Sequence, residues 1–364
     1  MTAHADNDAS GALLEQVGQA LADGTPLLIQ GGNSKAFLGR MTAGEVLDTR
    51  AHRGIVSYDP TELVVTVRAG TPLAELLAAL DAAGQMLACE PPAFGDGATV
   101  GGMVAAGLSG PRRPWAGSVR DFVLGSRVIT GTGKLLRFGG EVMKNVAGYD
   151  LSRLLVGSYG CLGVLTEVSL KVLPKPRQCF SLSLEMDSAK ALARLADWGR
   201  QPLPISAASH DGQRLHLRLE GGEGSVAAAR DRLGGEPLAA DYWANLNEQQ
   251  LAFFDEGLPL WRLSLPNNTG VLELPGQQLI GQQLIGQQLI DWAGAQRWLK
   301  SAAPAERIRS LVERVGGHAT CYSHGLVDSP FQPLSAVLLR YHRQLKAQLD
   351  PQGIFNPGRL YAEL

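Results

Sequence analysis

The sequence is poor in the features that mark metal clusters. It has four cysteines, at positions 89, 161, 179 and 321, and no two of them have the CxxC spacing of a zinc or iron–sulfur site. The seven histidines form no HExxH or HxH motif. We therefore expect no metal centre, and free thiols in a reducing compartment are the simpler interpretation of the isolated cysteines.

Long apolar runs and an excess of basic residues are also missing. No stretch approaches the roughly 18 consecutive apolar residues of a transmembrane helix. The N-terminal residues lack the basic and then apolar pattern of a signal peptide. The formal net charge is −2, which leaves no basic surface for nucleic acid or for an anionic membrane. We expect a cytoplasmic protein that binds no nucleic acid and inserts no segment into a membrane.

Glycine, in contrast, is abundant. It makes up 44 of 364 residues, about 12 %, against roughly 7 % in an average protein. Proline is ordinary at 20 residues, so collagen and Pro/Gly-rich disorder are excluded. Of the 44 glycines, 26 precede residue 176. The length suggests about two domains, and two prolines within Leu173–Gln178 place the break there.

Local patterns predict mixed helix and strand in both halves. In the front half we expect a helix over 13–24, a strand at 27–30, and a helix from Thr71 as N-cap with Pro72 at the first helical position. A hairpin turning at Gly131–Gly133 and a strand over 163–173 follow. In the back half, strands are predicted at 205–222 and 261–266, and helices at 225–235, 294–302, 305–317 and 334–350.

One internal repeat, GQQLI, occurs three times over Gly276–Ile290. A period of five residues matches neither a helix nor a strand. We interpret it as a tandem duplication at a surface connection, against the alternative of a functional insert.

Four glycine-containing segments could bind a phosphate or a carboxylate. They are Gly31–Lys35, Asp96–Gly102, Gly157–Gly163 and Pro111–Asp121. Gly157–Gly163 reads G-x-x-G-x-x-G but follows a helix, so it is not a Rossmann fingerprint, and no P-loop is present. Ordinary β-turns and surface arginines remain the alternative for each segment. Several such loops together favour an extended dinucleotide held by backbone groups.

Longer motifs resemble a known flavoprotein family. IQGGNSKAFLG, ATVGG, WAGSVRDFVLG, GEVMKNVAGYDLSRLLVGSYGCLGVLTE and DPQGIFNPGRLY resemble the flavin domain of the vanillyl-alcohol oxidase/p-cresol methylhydroxylase (PCMH) type. More narrowly, CEPP, MVAAGLSGPRRPWAGSVRDFVLG and RLEGGEGSV look like the FAD-binding E subunits of bacterial glycolate oxidase. The resemblance covers residues 11–364, and the tripled GQQLI departs from it.

The resemblance implies an α+β fold with three parts. Residues 1–175 would form a two-subdomain PCMH-type FAD-binding domain, residues 176–340 a smaller α/β cap domain, and residues 341–364 a tail that returns to the FAD domain. The residues implied to contact FAD are Gly31, Gly32, Asn33, Ser34, Lys35, Thr99, Gly101, Gly102, Ser118, Asp121, Asn145, Gly160, Gly163, Val164 and Asn356. Family members with covalent flavin often use a histidine in the first loop; Asn33 stands in that region here, so the resemblance implies non-covalent FAD.

The resemblance also implies a role in oxidising glycolate, or another 2-hydroxy acid, to the 2-oxo acid. Related dehydrogenases carry an H-x-G-D-G-N-x-H type motif that this sequence lacks, and GGHATCYSHG is only a weak echo of it. We therefore expect an FAD-binding electron-relay or accessory subunit, with a larger FAD-containing catalytic subunit and an iron–sulfur subunit as partners. Through that complex the chain could also lie peripheral to the inner membrane.

Two alternatives stay open. The chain could be a stand-alone D-lactate or glycolate dehydrogenase, in which case Arg112, Arg113 or His318 would be essential. It could also be a structural subunit with a vestigial flavin site. No catalytic residue is assigned.

Overall fold

A computed structural model describes residues 7–140, 150–255, 257–273, 278–280, 283–285 and 288–364, and within these it is mixed α and β, as predicted. The helices are α1 Ser10–Asp23, α2 Leu73–Ala82, α3 Val100–Ala106, α4 Arg113–Ala116, α5 Val119–Phe122, α6 Leu151–Leu154, α7 Ser188–Trp198, α8 Glu223–Leu233, α9 Tyr242–Asn247, α10 Ala305–Arg314 and α11 Ala336–Leu349.

The strands are β1 Leu27–Gln30, β2 Glu45–Asp48, β3 Ile55–Asp59, β4 Val64–Arg68, β5 Gln85–Met86, β6 Val123–Ile129, β7 Leu135–Gly139, β8 Val164–Lys171, β9 Leu173–Pro174, β10 Gln178–Glu185, β11 Ile205–His210, β12 Arg214–Gly221, β13 Glu236–Pro237, β14 Leu260–Ser264, β15 Gln278–Ile280, β16 Gln283–Ile285, β17 Gln288–Asp291, β18 Gln296–Lys300 and β19 His318–Cys321.

Contacts divide the chain into two units. Unit 1 contains the described residues of 1–109, 117–175 and 333–364, and unit 2 contains those of 110–116 and 176–332. Unit 1 holds a five-stranded sheet in the order β3-β4-β8-β6-β7 and two small sheets, β1-β2 and β5-β9. Unit 2 holds an eight-stranded sheet in the order β13-β10-β12-β11-β17-β18-β14-β19, and the pair β15-β16.

The core of unit 1 joins the start of the chain to its last residues. Leu13 and Val17 of α1 pack on Leu27 of β1, and Phe355 lies in the same cluster. Leu27 also pairs with Phe355 in a parallel bridge. Helix α1 ends where Gly24 takes the left-handed conformation, as glycine does at helix ends. Residues from the two ends of the chain thus share one apolar core.

The predicted hairpin of unit 1 is confirmed, and one predicted helix cap is wrong. β6 and β7 pair antiparallel from Ile129 with Leu135. Thr71 does not cap α2. Its Oγ1 instead accepts from the Gly54 amide at 2.9 Å and donates to the Gly54 carbonyl at 3.2 Å, so Pro72 takes the N-cap position. The Thr71 hydroxyl therefore bonds to the backbone of Gly54 and not to the first amides of α2.

In unit 2 the prediction of a helix over 294–302 is wrong. Residues Gln296–Lys300 form β18, which pairs with β14 on one side and β17 on the other. Two neighbouring strands supply the hydrogen bonds that a helix would have made internally. The helices predicted over 225–235 and 305–317 are present as α8 and α10.

The third copy of the GQQLI repeat is not a surface connection, contrary to expectation. It forms most of β17, where Leu289 and Ile290 are buried. The first two copies contribute the antiparallel pair β15 and β16. The glycines at 276, 281 and 286 lie outside the described residues.

Candidate functional site

Unit 1 contains a cavity of about 910 Å³, open solvent at its mouth included. Most of its wall is formed by residues 28–36, Thr99–Ala106, Ser158–Gly163 and the tail residues Asn356 and Arg359. Eleven of the fifteen residues predicted to contact FAD line it: Gly31, Gly32, Asn33, Ser34, Lys35, Thr99, Gly101, Gly102, Gly160, Gly163 and Asn356.

The first wall is the loop that leaves β1 at Gly31. A Cβ at Gly32 would overlap the carbonyl oxygen of Gly97, and one at Gly31 would overlap Oγ1 of Thr99. The loop therefore packs by its backbone against the second wall, which only glycine permits. Asn33 follows with φ of 57°, which turns the chain. Such backbone can approach a bound phosphate closely.

Lys35 gives this wall a positive charge. Its Nζ donates to the Ala93 carbonyl at 3.0 Å and lies 5.5 Å from the centroid of the Phe94 ring. Ser34 Oγ donates to the same Ala93 carbonyl at 2.7 Å. These bonds hold the loop to residues 93–94 and place an ammonium at the edge of the cavity.

The second wall is the start of α3. Thr99 is its N-cap, and Thr99 Oγ1 accepts from the Gly102 amide at 3.2 Å. A Cβ at Gly101 would lie 2.7 Å from that of Ala69, so glycine lets the helix pack closely on the chain after β4.

The third wall is the 158–163 loop and the fourth is the tail, and the two meet at Asn356. Its Oδ1 accepts from the Ile29 amide at 2.8 Å, and its Nδ2 donates to the Tyr159 carbonyl at 2.7 Å. A Cβ at Gly160 would lie 2.6 Å from Nδ2, and Gly160 has φ of +74°. One amide side chain thus joins β1, the 158–163 loop and the tail.

A buried ion pair holds that tail in place. Lys346 of α11 donates from Nζ to Asp350 Oδ2 at 2.7 Å, to the Cys161 carbonyl at 2.8 Å and to the Phe355 carbonyl at 2.8 Å. Asp350 also accepts from the amides of Ile354 and Phe355. The two side chains are 9 % and 0 % exposed. We call this group the tail clasp, because it ties residues next to Gly160 and Asn356 together.

Arg359 is a cavity residue that the sequence analysis missed. Its guanidinium donates to the Ala36 carbonyl at 3.0 Å and to the Arg40 carbonyl at 3.2 Å, which joins the tail to the end of the first loop. Burial lowers the pKa of Arg359, yet an arginine keeps its charge. Its place directly after the FNPG motif was the available signal. Within the described part of the chain, the cations in the wall of the cavity are Lys35 and Arg359.

Four predicted residues do not line this cavity or cannot be placed. Val164 is fully buried in the core at the start of β8. Asp121 Oδ2 accepts from the amide and the hydroxyl of Ser118, at 2.8 and 2.9 Å, in a capping box at the start of α5. Asn145 lies outside the described residues. A role for these four in binding FAD stays a prediction.

The contacts of Arg112 in unit 2 decide whether this arginine is available to bind a substrate carboxylate. Arg112 donates to both carboxylate oxygens of Glu220, from Nε at 3.0 Å and from Nη2 at 2.6 Å. Both side chains are 10 % exposed. Desolvation opposes ionisation of Glu220, but the charges of Arg218 and Arg112 outweigh it and lower the pKa of Glu220. Arg112 is thus committed to a structural ion pair, and a role for it in binding a substrate carboxylate is not favoured.

Two features are absent from the described part of the chain. No group of three or more His, Cys, Asp or Glu side chains there could hold a metal ion. None of its helices is both long enough and apolar enough to cross a bilayer.

Comparisons with known proteins point to a family that binds FAD. Residues 10–139 match the family model for the FAD binding domain. Glycolate oxidase subunit GlcE of Escherichia coli (strain K12) is 62 % identical over 357 residues, which are 98 % of this chain and 99 % of that protein. D-lactate dehydrogenase of Anaerostipes hadrus is 38 % identical over 134 residues, 37 % of this chain and 28 % of that protein. Glycolate oxidase subunit GlcD of Bacillus subtilis (strain 168) is 36 % identical over 133 residues, 36 % of this chain and 28 % of that protein.

A solved structure agrees at the level of the fold. Alkyldihydroxyacetonephosphate synthase has a TM-score of 0.68 at 16 % identity, over 97 % of this chain and 76 % of that one. At this identity the likeness concerns the fold alone.

Proposed function

The chain belongs to the family of the glycolate oxidase subunit GlcE, and on that basis we propose that it binds FAD without a covalent bond as a subunit of a glycolate-oxidising complex. In this proposal it is an electron-relay or accessory subunit. The main observation in support is the glycine-walled cavity of unit 1, lined by eleven residues expected to contact FAD.

The residues of the cavity fit the cofactor. Gly31 and Gly32 stand where any side chain would overlap the second wall, so backbone faces the space where a diphosphate would lie. Lys35 and Arg359 supply the positive charge that a diphosphate requires. Among the residues that the structure describes, neither histidine nor cysteine lines the cavity, which supports non-covalent binding. The family model over residues 10–139 points to the same cofactor.

FAD, when bound, supplies a flavin ring that accepts a hydride from a 2-hydroxy acid or electrons from a partner. In our proposal this chain's own residues hold it. The first loop and the start of α3 would bind the diphosphate, while Asn356 keeps the tail and the 158–163 loop against the cavity. The tail clasp fixes that arrangement by its hydrogen bonds to the carbonyls of Cys161 and Phe355.

An accessory role is favoured over the main catalytic role. The sequence has no H-x-G-D-G-N-x-H type motif, and Arg112 is held by Glu220. A larger FAD-containing subunit and an iron–sulfur subunit would then complete the reaction. We further propose that residues 1–175 form a two-subdomain FAD domain, residues 176–340 a cap domain, and residues 341–364 a tail that returns to the FAD domain. Unit 1 and unit 2 follow this division except that residues 110–116 lie in unit 2 and residues 333–340 in unit 1.

The test is co-expression of the tagged chain with the two partner subunits, with flavin and iron measured in the recovered complex. We expect about one acid-releasable FAD for each copy of the isolated chain and about two for each copy in the complex, because the larger subunit also carries FAD. Glycolate-dependent dye reduction should be seen with the complex only. Dye reduction by the isolated chain at the same rate would support the stand-alone dehydrogenase instead. An isolated chain without flavin would support the vestigial site.

A further inference from the structure

Segments that the FAD cavity does not use come together in unit 2 around Trp292. Arg113, from the PRRPW segment, has its guanidinium carbon 4.5 Å from the centroid of the Trp292 ring. Arg262, in β14, lies 5.0 Å from the same centroid. Two guanidinium groups thus lie against one indole ring, where each gains a cation–π interaction.

Arg262 is held by neutral groups. Its Nε donates to Gln296 Oε1 at 2.6 Å, and its Nη1 lies 3.5 Å from the Tyr322 hydroxyl. The carboxylate of Asp291 is linked to Arg262 through Gln296, whose Nε2 donates to Asp291 Oδ2 at 3.0 Å. Among the described residues, no carboxylate forms an ion pair with Arg262.

This arrangement holds the Arg262 guanidinium in one orientation among neutral groups. A half-buried guanidinium has lost part of its hydration, and a carboxylate is the partner that its geometry favours. Here the side chain is oriented in advance by an amide, a hydroxyl and an aromatic ring. A ligand carboxylate would therefore bind without first reorganising the arginine.

The backbone beside it is strained. Trp292 has φ of 52° and Ala293 has φ of 53°, although neither is a glycine. The Asp291 carboxylate accepts from the Trp292 amide at 2.7 Å and holds this turn. Such conformations persist where the surroundings impose them, and they cluster at ligand sites. The strain is an observation on the backbone of a residue whose ring contacts Arg262.

His318 lies on the same face of the sheet. In the β14–β19 register Arg262 is opposite Thr320 and Ser264 is opposite His318, so His318 and Arg262 are diagonal neighbours. Desolvation, and then the positive charge of Arg262, lower the pKa of His318 and so favour its neutral imidazole. A neutral imidazole next to a guanidinium can accept a hydrogen bond from a hydroxyl group on the bound acid.

We propose that Arg262 is the centre of a binding site for a small carboxylic acid, with Trp292, Tyr322 and His318 around it. The site belongs to unit 2. The choice of a 2-hydroxy acid as ligand rests on the proposed function, whereas the carboxylate specificity rests on Arg262 alone.

The test is a calorimetric titration of the FAD-loaded full chain with glycolate, acetate and ethylene glycol. Glycolate and acetate should bind, and ethylene glycol, which has no carboxylate, should not. Arg262→Met should weaken glycolate binding by about 10- to 100-fold, since it removes charge-assisted hydrogen bonds. Arg262→Lys keeps the charge without the planar fork, so it should bind more weakly than the unchanged chain.

The matched control is Arg200→Met, because Arg200 is an exposed arginine of unit 2 whose side chain is 79 % exposed. It should leave glycolate binding unchanged. The proposal is overturned if the unchanged chain binds no carboxylate, or if Arg262→Met binds glycolate as tightly. If Arg262→Met does not fold, Arg262→Lys decides by the same criterion. FAD content is measured in every sample and tests the proposed function separately. A chain that contains FAD but does not bind glycolate refutes only the site at Arg262.

Discussion

The tail clasp makes a strong prediction about Lys346. Replacing it by Met keeps the length of the side chain and removes the ammonium, which makes three hydrogen bonds at 2.7–2.8 Å. Asp350, which is fully buried, would then carry its charge without a cation. Breaking a buried pair in this way costs about 3–5 kcal/mol. We expect Lys346→Met to lower the free energy of unfolding of unit 1 by that amount.

The assay is urea unfolding of the full chain without FAD and with saturating FAD. The two units could unfold in separate steps, so the transition that FAD shifts is assigned to unit 1. Because the clasp holds residues next to Gly160 and Asn356, the stabilisation that FAD gives should also be smaller in Lys346→Met. Lys190→Met, at an exposed lysine in α7, is the matched control and should change neither quantity.

A double variant sharpens the reasoning. In Lys346→Met with Asp350→Asn, the uncompensated carboxylate is gone, so about 1–3 kcal/mol of the loss should be recovered. A loss below about 1 kcal/mol in Lys346→Met would refute the idea that the buried pair matters. A double variant no more stable than Lys346→Met would refute the explanation by an unpaired charge.

Three further predictions concern the cavity and unit 2. Gly32→Ala should abolish stoichiometric FAD in the purified chain, because the new methyl group would overlap the Gly97 carbonyl; a chain that still holds one FAD would contradict this. Asn356→Ala leaves a backbone amide of β1 without its acceptor and should cost about 1–3 kcal/mol in unfolding free energy, with weaker FAD binding measured by fluorescence titration. The pKa of Glu220 is lower in the folded chain than in the unfolded chain, where it is about 4.3. Its ion pair with Arg112 therefore stabilises the fold fully above about pH 4.3. That stabilisation is lost as the pH falls through the pKa of Glu220 in the folded chain. Thermal unfolding between pH 7 and pH 3 should show that loss, and Glu220→Gln should flatten the profile; identical slopes for both chains would be evidence against it.

Much of the cavity could be predicted because its signals are local. The first loop, the start of α3 and the 158–163 loop each carry their glycines within a few consecutive residues, and Asn356 stands in a short motif. The contacts between these segments could not be predicted in the same way. That Gly32 packs on Gly97, for example, depends on how two distant loops meet.

The errors have the same physical origin. Residues Gln296–Lys300 were predicted as helix because their local pattern allows it, but pairing with two neighbouring strands decided otherwise. Thr71 resembles an N-cap, yet its hydroxyl bonds to Gly54, seventeen residues away. The cluster of Arg262 and Trp292 likewise could not be predicted from the sequence, because it depends on the order of the strands in the sheet of unit 2.

The pairing of β1 with the tail has a consequence for synthesis of the protein. The Ile29 amide and its acceptor on Asn356 are 327 residues apart, and Leu27 exchanges backbone hydrogen bonds with Ile354 and Asn356. A ribosome therefore makes the first wall of the cavity long before the last one, and all of unit 2 emerges between them. During that interval β1 has no tail to pair with, and the cavity lacks its Asn356 and Arg359. If FAD lies in this cavity as proposed, it should be held fully only by a chain whose translation has passed residue 359. Cofactor retention would then distinguish such chains from those that stalled earlier.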